Sequence, residues 1–310
     1  MNYSIFIIAL ALVFNTTKAQ TTAEPAFDFL KAYPHVRDIS ISQNQDEAYF
    51  TIQSPNEEIA AIAFVKNING NWTAPQLVSF TGTYRDIEPF LSKDGLRLYF
   101  SSNRPITDSS TKAKDYDIWF VERKDKNSEW LKPVNMGKPI NSEHDEFYPS
   151  LSNSGNLYFT SDEPNSKGKD DIYFSKWDGK FYNKPVSLDS TINSTGYEFN
   201  AFVSPNEDYL IYTAYARKDG LGSGDLYISF KDQKGNWQQA KNMGTTVNSA
   251  FMEYCPFVAA DGTLYFTSKR SKIKTEQFKD IKDFEKEINK YENGWSRIYK
   301  VSVNELKLKK

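Results

Sequence analysis

Asp86-Ile87-Glu88-Pro89-Phe90-Leu91-Ser92 is the stretch that decides the fold, because versions of it recur along the chain. Three further copies begin at an acidic residue and end at a small one: Glu146–Ser152, Glu198–Ser204 and Glu253–Ala259. Each copy passes through a polar turn, as at Lys93-Asp94-Gly95, and enters an aromatic strand, as at Leu98-Tyr99-Phe100. A glycine or asparagine at the turn supplies the backbone angles that a tight hairpin requires. The pattern therefore predicts tandem β-hairpins.

Each hairpin is followed by segments that suit a third and a fourth strand. Third strands are predicted at Asp117–Phe120, Asp171–Phe174, Asp225–Ile228 and Arg297–Lys300, and fourth elements at Trp130–Gly137, Phe181–Leu188 and Trp237–Gly244. A degenerate earlier copy fits the same plan over residues 38–78. Four short strands per repeat are typical of a β-propeller blade. We predict an all-β fold, a single propeller of five four-stranded blades, with six as the alternative if the linkers contain another blade.

The last copy lacks a fourth strand, since few residues follow Arg297–Asn304. At the other end of the chain, Ala26–Lys31 precedes the first copy without a role of its own. We expect an N-terminal strand at Phe27–Leu30 to complete the last blade and close the ring. Ring closure would remove strand edges that otherwise template aggregation.

An insertion at residues 275–293 interrupts the last blade and is predicted to be helical. Its apolar residues recur at spacings of three and four, and Asn293-Gly294 suits the end of a helix. The stripe contains Phe278, Ile281, Phe284, Ile288 and Tyr291. It could pack on the propeller itself, or its first four members could dock onto a partner.

The repeat resembles that of the TolB-type propeller family. The residues that carry the resemblance are Glu88–Gly95, Leu98–Arg104 and Asp117–Trp119, and Thr267–Arg270 repeats the middle part. Proteins similar to this family serve as envelope scaffolds, as modules beside peptidoglycan-binding domains and occasionally as enzymes, and a shared fold does not choose among these roles. Departures from the pattern are Arg297 in place of aspartate and Ala201 in place of proline.

Residues 1–19 have the pattern of an export signal. The apolar run Ile5–Phe14 is too short to span a bilayer, and Thr17-Lys18-Ala19 suits signal peptidase. The mature chain, residues 20–310, is expected to be one propeller domain without a transmembrane segment. We therefore expect a bacterial envelope protein that is periplasmic or secreted.

The composition excludes some classes of partner and chemistry. The net charge of −2 gives no electrostatic case for binding nucleic acid. The single cysteine, Cys255, cannot form an internal disulfide bond. The aromatic content of 15% suits the half-buried faces of strands.

An acidic residue stands just before or at the start of each predicted inner strand. These residues are Asp86, Glu146, Glu198 and Glu253, and an Asn-Ser pair precedes three of them at an identical spacing. If the first strand of each blade lines the axis, the carboxylates recur around one mouth of the ring. They could hold calcium, which takes several oxygen ligands, or grip a partner, or cap turns and pair with neighbouring blades. His144 lies beside this position and is a candidate base or ligand, or a solvated loop residue.

These observations predict a non-enzymatic binding module, expected to be monomeric, that recognises an envelope protein or a glycan at the mouth of the ring. No motif requires a cofactor, although calcium is a candidate, and the identity of any metal stays open. The alternative is an exported polysaccharide hydrolase or lyase that uses the same carboxylates. A third possibility is a structural subunit that docks through the helix.

Overall fold

The computed structural model describes residues 22–107 and 110–306. It contains five blades, four of them with four paired strands and the first with one additional short strand. After β1 (Glu24–Pro25), blade 1 contains β2 (Val36–Ile41), β3 (Glu47–Gln53), β4 (Ala60–Ile68) and two short strands that both pair with β4, β5 (Asn71–Trp72) and β6 (Gln76–Leu77). Blade 2 contains β7 (Asp86–Leu91), β8 (Arg97–Ser102), β9 (Asp117–Glu122) and β10 (Val134–Asn135). Blade 3 contains β11 (Glu146–Leu151), β12 (Leu157–Ser161), β13 (Asp171–Ser175) and β14 (Val186–Ser187). Blade 4 contains β15 (Tyr197–Val203), β16 (Tyr209–Tyr215), β17 (Gly224–Phe230) and β18 (Lys241–Asn242), and blade 5 contains β19 (Glu253–Val258), β20 (Thr263–Ser268) and β21 (Arg297–Ser302).

The first strand of each blade lies at the centre of the ring. Strand β2 contacts β7, β7 contacts β11, β11 contacts β15, β15 contacts β19, and β19 contacts β2 again, so the contacts form a closed cycle. Each of these strands pairs antiparallel with the next strand of its own blade. The prediction of a five-bladed propeller is therefore confirmed, and the described residues form no sixth blade.

An N-terminal strand closes the ring, as predicted, but it lies earlier than Phe27–Leu30. Strand β1 pairs antiparallel with β21, and the amide of Ala26 donates to the carbonyl of Ile298 at 3.0 Å. The predicted segment instead enters a 3₁₀ helix over Asp28–Ala32. Phe27 stacks on Tyr265 of blade 5 with ring centroids 5.6 Å apart. The apolar side chains of this segment thus pack against the ring, while the pairing uses the backbone just before them.

Aromatic and aliphatic side chains fill the spaces between neighbouring blades. Between blades 1 and 2, for example, Tyr49, Ile62, Leu98 and Phe100 are almost fully buried in one cluster. Burial of such large apolar side chains stabilises each blade against the next by roughly 1.5–3 kcal/mol per residue. The aromatic strands of the repeat therefore supply the packing that holds the ring together.

The insertion of blade 5 contains a helix that is shorter than predicted. Helix α1 spans Ile281–Ile288, and the carboxylate of Asp280 caps it by accepting from the amide of Asp283 at 2.9 Å. The stripe residues Ile281, Phe284 and Ile288 are 65%, 41% and 43% exposed. Within the described residues, no helix is long and apolar enough to cross a bilayer.

The side of α1 that is buried carries an acidic residue. Glu287 accepts from the amide of Lys274 at 2.6 Å and from the Lys290 ammonium at 2.5 Å. Phe278 packs edge-on against Phe284, with ring centroids 5.2 Å apart. The apolar stripe therefore faces outward, because hydrogen bonds to Glu287 hold the opposite side of the helix in place.

Candidate functional site: a cup at one end of the ring axis

The four repeated acidic residues lie at the starts of β7, β11, β15 and β19, where all are buried. Glu198 is representative of the set. Its carboxylate accepts from the amide and the hydroxyl of Ser194 at 2.7 and 2.8 Å and from the Arg217 guanidinium at 2.9 Å. Glu253 bonds in the same way to Ser249 and Arg270. These carboxylates thus cap the loop that enters each blade.

The Asn-Ser pairs belong to the same arrangement. The side-chain oxygen of Asn193 accepts from the amide of Ile172 at 2.9 Å, and its side-chain nitrogen donates to the carbonyl of Ile172 at 2.9 Å. Asn141 and Asn248 make the equivalent pair of bonds to the third strands of blades 2 and 4, at Ile118 and Leu226. The identical spacing therefore follows from a repeated join between consecutive blades.

Glu146 differs from the other three repeated acids because no arginine contacts it among the described residues. Its carboxylate accepts from the amide of Ser142 at 2.9 Å and from the hydroxyls of Ser142 and Ser161. Burial raises the pKa of Glu146 to about 7, although these hydrogen bonds act to lower it. His144 is half-buried and lines the same cavity as Glu146, with a volume of about 470 Å³, apart from the ring axis.

A second set of positions, two residues further along each inner strand, has a different character. These residues are Asp38, Glu88, Tyr148, Asn200 and Cys255, and all have a positive φ between 51° and 61°. Each lies at the point where the inner strand shifts register against its neighbour, as at a β-bulge. A left-handed backbone is costly for residues with a side chain, and such strain persists only where the surrounding structure holds it. This left-handed conformation occurs in all five blades, so it is a regular part of the structure of the ring centre.

Glu88 is the hub of this central set, since it binds groups from four blades. One carboxylate oxygen accepts from the guanidinium of Arg37 at 2.6 Å and from the amide of Asn200 at 3.2 Å. The other accepts from the hydroxyl of Ser101 at 3.1 Å and from the backbone amide of Tyr148 at 2.7 Å. Burial raises the pKa of Glu88 above its usual range, although Arg37 acts to lower it. The carboxylate is therefore fully used in holding the blades together.

The fifth blade joins the hub through Cys255. Arg37 lies 3.3 Å from the sulfur atom of Cys255 and donates to Asp38 at 2.8 Å. Ligand atoms of Asp38, Glu88 and Cys255 lie within 4.8 Å of one another, the only such group among the described residues. The Arg37 guanidinium already contacts all three, so it occupies the position that a metal cation would take. Burial raises the pKa of the Cys255 thiol well above its usual range, which does not suit a nucleophile.

One end of the axis, directly above the hub, forms a cavity of about 340 Å³ that we call the axial cup. Its floor contains Arg37, Glu88 and Asn200, and aromatic side chains form much of its wall. The other wall residues are Glu57, Arg85, Ile87, Tyr116, Asp145, Phe147, Asp170, Phe199, Met252, Tyr254 and Lys269. None of the four repeated acids lines it. The acids and the cup belong to the same strands but to different positions along them.

The opposite end of the axis opens into a larger cavity of about 910 Å³. It is lined by the hairpin turns and by apolar residues such as Phe90, Phe202 and Phe257, with Lys93 and Asp94 as its charged members. Binding sites combine apolar walls with a few convergent polar groups. The axial cup has this combination, and we therefore take the cup as the candidate site.

The central residues and the cup were not among the sites predicted from the sequence. A signal for them was present in the alignment of the repeats. The position that holds Glu88 is occupied by Asp38, Tyr148, Asn200 and Cys255 in the other copies. Each of these side chains can form hydrogen bonds, yet the residue type is different in every blade. Divergence at one position of an otherwise regular repeat could have marked the ring centre.

The sequence matches no known protein-family model and no curated protein. Among solved structures, an α-L-arabinofuranosidase from Podospora anserina in complex with cellotriose is 11% identical, with a TM-score of 0.54 over 91% of this chain and 95% of that chain. The catalytic domain of a GH62 α-L-arabinofuranosidase from Coprinopsis cinerea is 9% identical, with a TM-score of 0.53 over 92% and 95%. TolB from Acinetobacter baumannii is 11% identical, with a TM-score of 0.48 over 86% of this chain and 54% of that chain.

This chain therefore spans about half the length of that TolB. At identities this low, a structural likeness concerns the fold alone, because one fold carries many functions. The arabinofuranosidases cover nearly the whole of this chain, which agrees with a single propeller over the described residues. The chain is accordingly a five-bladed β-propeller with an axial cup.

Proposed function

We propose that this protein is a non-enzymatic binding module of the bacterial envelope, periplasmic or secreted, that holds a segment of its ligand in the axial cup. The observation that carries the proposal is the joint presence of aromatic walls and charged groups in one concave site at the ring axis. The sequence resemblance to the TolB-type repeat and the signal-like residues 1–19, which lie outside the described residues, support export.

Both oxygens of the Glu88 carboxylate, in the floor of the cup, accept hydrogen bonds from the protein, which favours binding over catalysis. A general acid or base must reach a proton on the substrate. Both oxygens of Glu88 accept from protein donors, and Asp38, held by Arg37, does not line the cup. The alternative, a polysaccharide hydrolase or lyase, finds support in the fold of the arabinofuranosidases and in the raised pKa of Glu88.

The exposed stripe of α1, with Phe278 beside it, is a second surface that we propose for docking to a partner. A free apolar stripe on a short helix is suited to lie in an apolar groove of another protein. It is separate in sequence from the cup residues, so substitutions can test the two surfaces independently.

A thermal-shift screen of the mature chain tests the proposed function. The panel contains calcium, peptidoglycan fragments, neutral and charged oligosaccharides, and short peptides, because a ligand of the folded state raises the melting temperature by mass action. Phe199→Ala, which opens the cup wall, should reduce the response to any cup ligand. Glu143→Gln, an exposed change outside the cup, is the control. A shift that Phe199→Ala leaves intact would place binding elsewhere, and sugar release from an oligosaccharide would favour the enzyme.

A further inference from the structure

The axial cup contains four carboxylates, and two of them have no cationic partner. Glu88 pairs with Arg37 at 2.6 Å, and Glu57 lies 3.5 Å from Arg85 and 4.0 Å from Lys269. Among the described residues, neither of the other two, Asp145 and Asp170, forms an ion pair. One side of the cup thus has negative charge that the protein does not neutralise.

These two aspartates line the cup together with the aromatic residues, and the charge of Asp145 acts on Asp170. Asp145 precedes β11 and is two residues from Phe147, so both side chains project from the same side of the strand. The backbone of Asp170 bridges to Tyr197 and accepts from the amide of Glu198, which adjoins Phe199. Asp145, Asp170, Phe147 and Phe199 therefore form one continuous acidic and aromatic wall.

The electrostatics of this wall agree with its geometry. Burial, and then the negative charges of Asp162 and Asp145, raise the pKa of Asp170 to about 6. Burial also raises the pKa of Asp145, and Asp162 and Asp115 act in the same direction. The backbone amide of Tyr116, which donates to Asp145 at 2.7 Å, and the charge of Lys114 act to lower it. Negative charges that repel one another in a partly buried site are stabilised when a cation binds among them.

The rim beside this wall is apolar and exposed. Tyr197 and Tyr215 pack edge-on with ring centroids 5.9 Å apart, and each is more than 40% exposed. Phe251 precedes the cup residue Met252, and its carbonyl accepts from Ser223, close to exposed Leu221. Exposed aromatic side chains around a pocket are typical of surfaces that bind other proteins.

Resting on the proposed function, we infer that the cup receives a lysine or arginine side chain of a protein partner, with its cationic head on Asp145 and Asp170. The aliphatic stem lies against Phe147, Phe199 and Met252, and the aromatic faces add attraction for the cation. The flanking residues of the partner cover the apolar rim at Tyr197 and Phe251.

The walls favour a protein side chain over an amino sugar as the source of the cation. A sugar ring presents several hydroxyl groups, and each of them loses hydrogen bonds to water when it is buried against an apolar wall. A lysine stem presents only methylene groups at that level. Ile87, Phe147, Phe199 and Met252 offer no side-chain donor or acceptor of hydrogen bonds comparable to a hydroxyl or amide.

Two peptides of identical backbone sequence, with a charged and a neutral form of one side chain, test the inference without altering the protein. The first is acetyl-Gly-Leu-Lys-Leu-Gly-amide, and the second carries N-acetyl-lysine in place of lysine. Titration of the full mature chain, followed by nuclear magnetic resonance, should show that the lysine peptide binds on the order of tenfold more tightly or better. Its affinity should fall as salt is added and rise from pH 5 to pH 7, because Asp170 ionises in that range.

Charge-removing variants provide the complementary arm. Asp145→Asn and Asp170→Asn should each weaken the lysine peptide by about tenfold and reduce the pH dependence, whereas Glu143→Gln should not. The charged groups around this wall are, on the described residues, Arg37, Glu57, Arg85, Glu88, Lys114, Asp115, Asp162, Asp171, Glu198 and Lys269. Equal binding of the two peptides, no binding of the lysine peptide, or unchanged affinity in both aspartate variants would overturn the inference.

Titration with further ligands distinguishes a failure of this inference from a failure of the proposed function. A chitosan trimer and an N-acetylchitotriose are titrated alongside the peptides. If the chitosan trimer binds and the lysine peptide does not, the cup takes a cationic glycan and the inference fails. If the lysine peptide does not bind but a neutral ligand binds in a manner sensitive to Phe199→Ala, only the inference fails. If no ligand of the panel responds to Phe199→Ala, the proposed function fails as well.

Discussion

Two positions that lie only two residues apart on the inner strands differ in how well they repeat between blades and in where their side chains lie. The first, represented by Glu198, is acidic in four blades, and its carboxylate is bound to the loop that enters its own blade. The second, represented by Glu88, is different in every blade, and the five side chains meet at the ring axis. Similar acidic residues serve a join that recurs in four blades, whereas the axis is a single place that five different residues share.

The same contrast separates stability from ligand recognition. A residue that repeats around a ring bonds to equivalent neighbours in its own blade, as the repeated acids do to the residues four or five positions before them, so its role is local and structural. Residues that lie at or above the axis experience one asymmetric environment, in which acidic, basic and aromatic groups are unevenly distributed. The cup is formed by residues at or above the axis, and the uneven distribution of their charges gives it a distinct surface for a ligand.

Removal of the hub carboxylate should produce the largest effect. Glu88→Ala leaves the buried Arg37 with fewer anionic partners and deprives Tyr148, Asn200 and Ser101 of their acceptor. We expect a loss of roughly 3–5 kcal/mol in the free energy of unfolding, measured by urea denaturation. The exposed control Glu143→Gln should stay within about 0.5 kcal/mol. A loss below about 1 kcal/mol would show that the five blades do not depend on the hub.

The five blades could be predicted from the sequence because strands and turns repeat with their own local signals. Leu98-Tyr99-Phe100 after Lys93-Asp94-Gly95 specifies a hairpin without reference to the rest of the ring. The closing strand was placed too late because β1 at Glu24–Pro25 pairs through backbone groups, which leave no apolar pattern. The closing strand was predicted at Phe27–Leu30 because this segment is more apolar, but its side chains pack against the ring instead.

The interior of the ring was less predictable for a physical reason. Side chains of a regular strand alternate between two faces, so a pattern of residues predicts which side chains share a face. The bulge at Glu88 and its equivalents adds a residue and changes that alternation in the middle of each inner strand. A sequence pattern that treats the strand as regular places Asp86 and Glu88 on one face. In the structure Asp86 instead binds Ser102 and Arg104 of its own blade, and Glu88 alone of the two lies at the axis.

A smaller effect is expected at the repeated position. Glu198→Gln keeps the shape of the side chain but removes the charge that faces Arg217, which should cost roughly 1–3 kcal/mol. Glu253→Gln, with equivalent partners at Ser249 and Arg270, should cost about the same amount. Glu253→Gln, which lies outside the charged groups around the cup wall, should not alter the affinity of a cup ligand for the folded protein. A weakened affinity at full folding would show that the repeated acids contribute to recognition after all.

The smallest effect should distinguish one repeated acid from the others by its pH dependence. Burial raises the pKa of Glu146 to about 7 in the folded chain, above its usual value of 4.5. The folded state therefore binds more protons than the unfolded state between these two pH values, and the contribution of Glu146 to stability falls as pH rises through that range. In Glu146→Gln this dependence is absent, so wild type should lose about 1–2 kcal/mol relative to the variant between pH 5 and pH 8.

Urea denaturation of both chains across that pH range provides the measurement, and Glu143→Gln serves as the control that changes the same charge at the surface. The physical reason lies in the neighbours, because Asp86, Glu198 and Glu253 each face an arginine whereas Glu146 faces only hydroxyl and amide groups. Parallel stability curves for wild type and Glu146→Gln would mean that Glu146 stays ionised at pH 5. The repeated position would then be electrostatically uniform, and blade 3 would no longer differ from its neighbours.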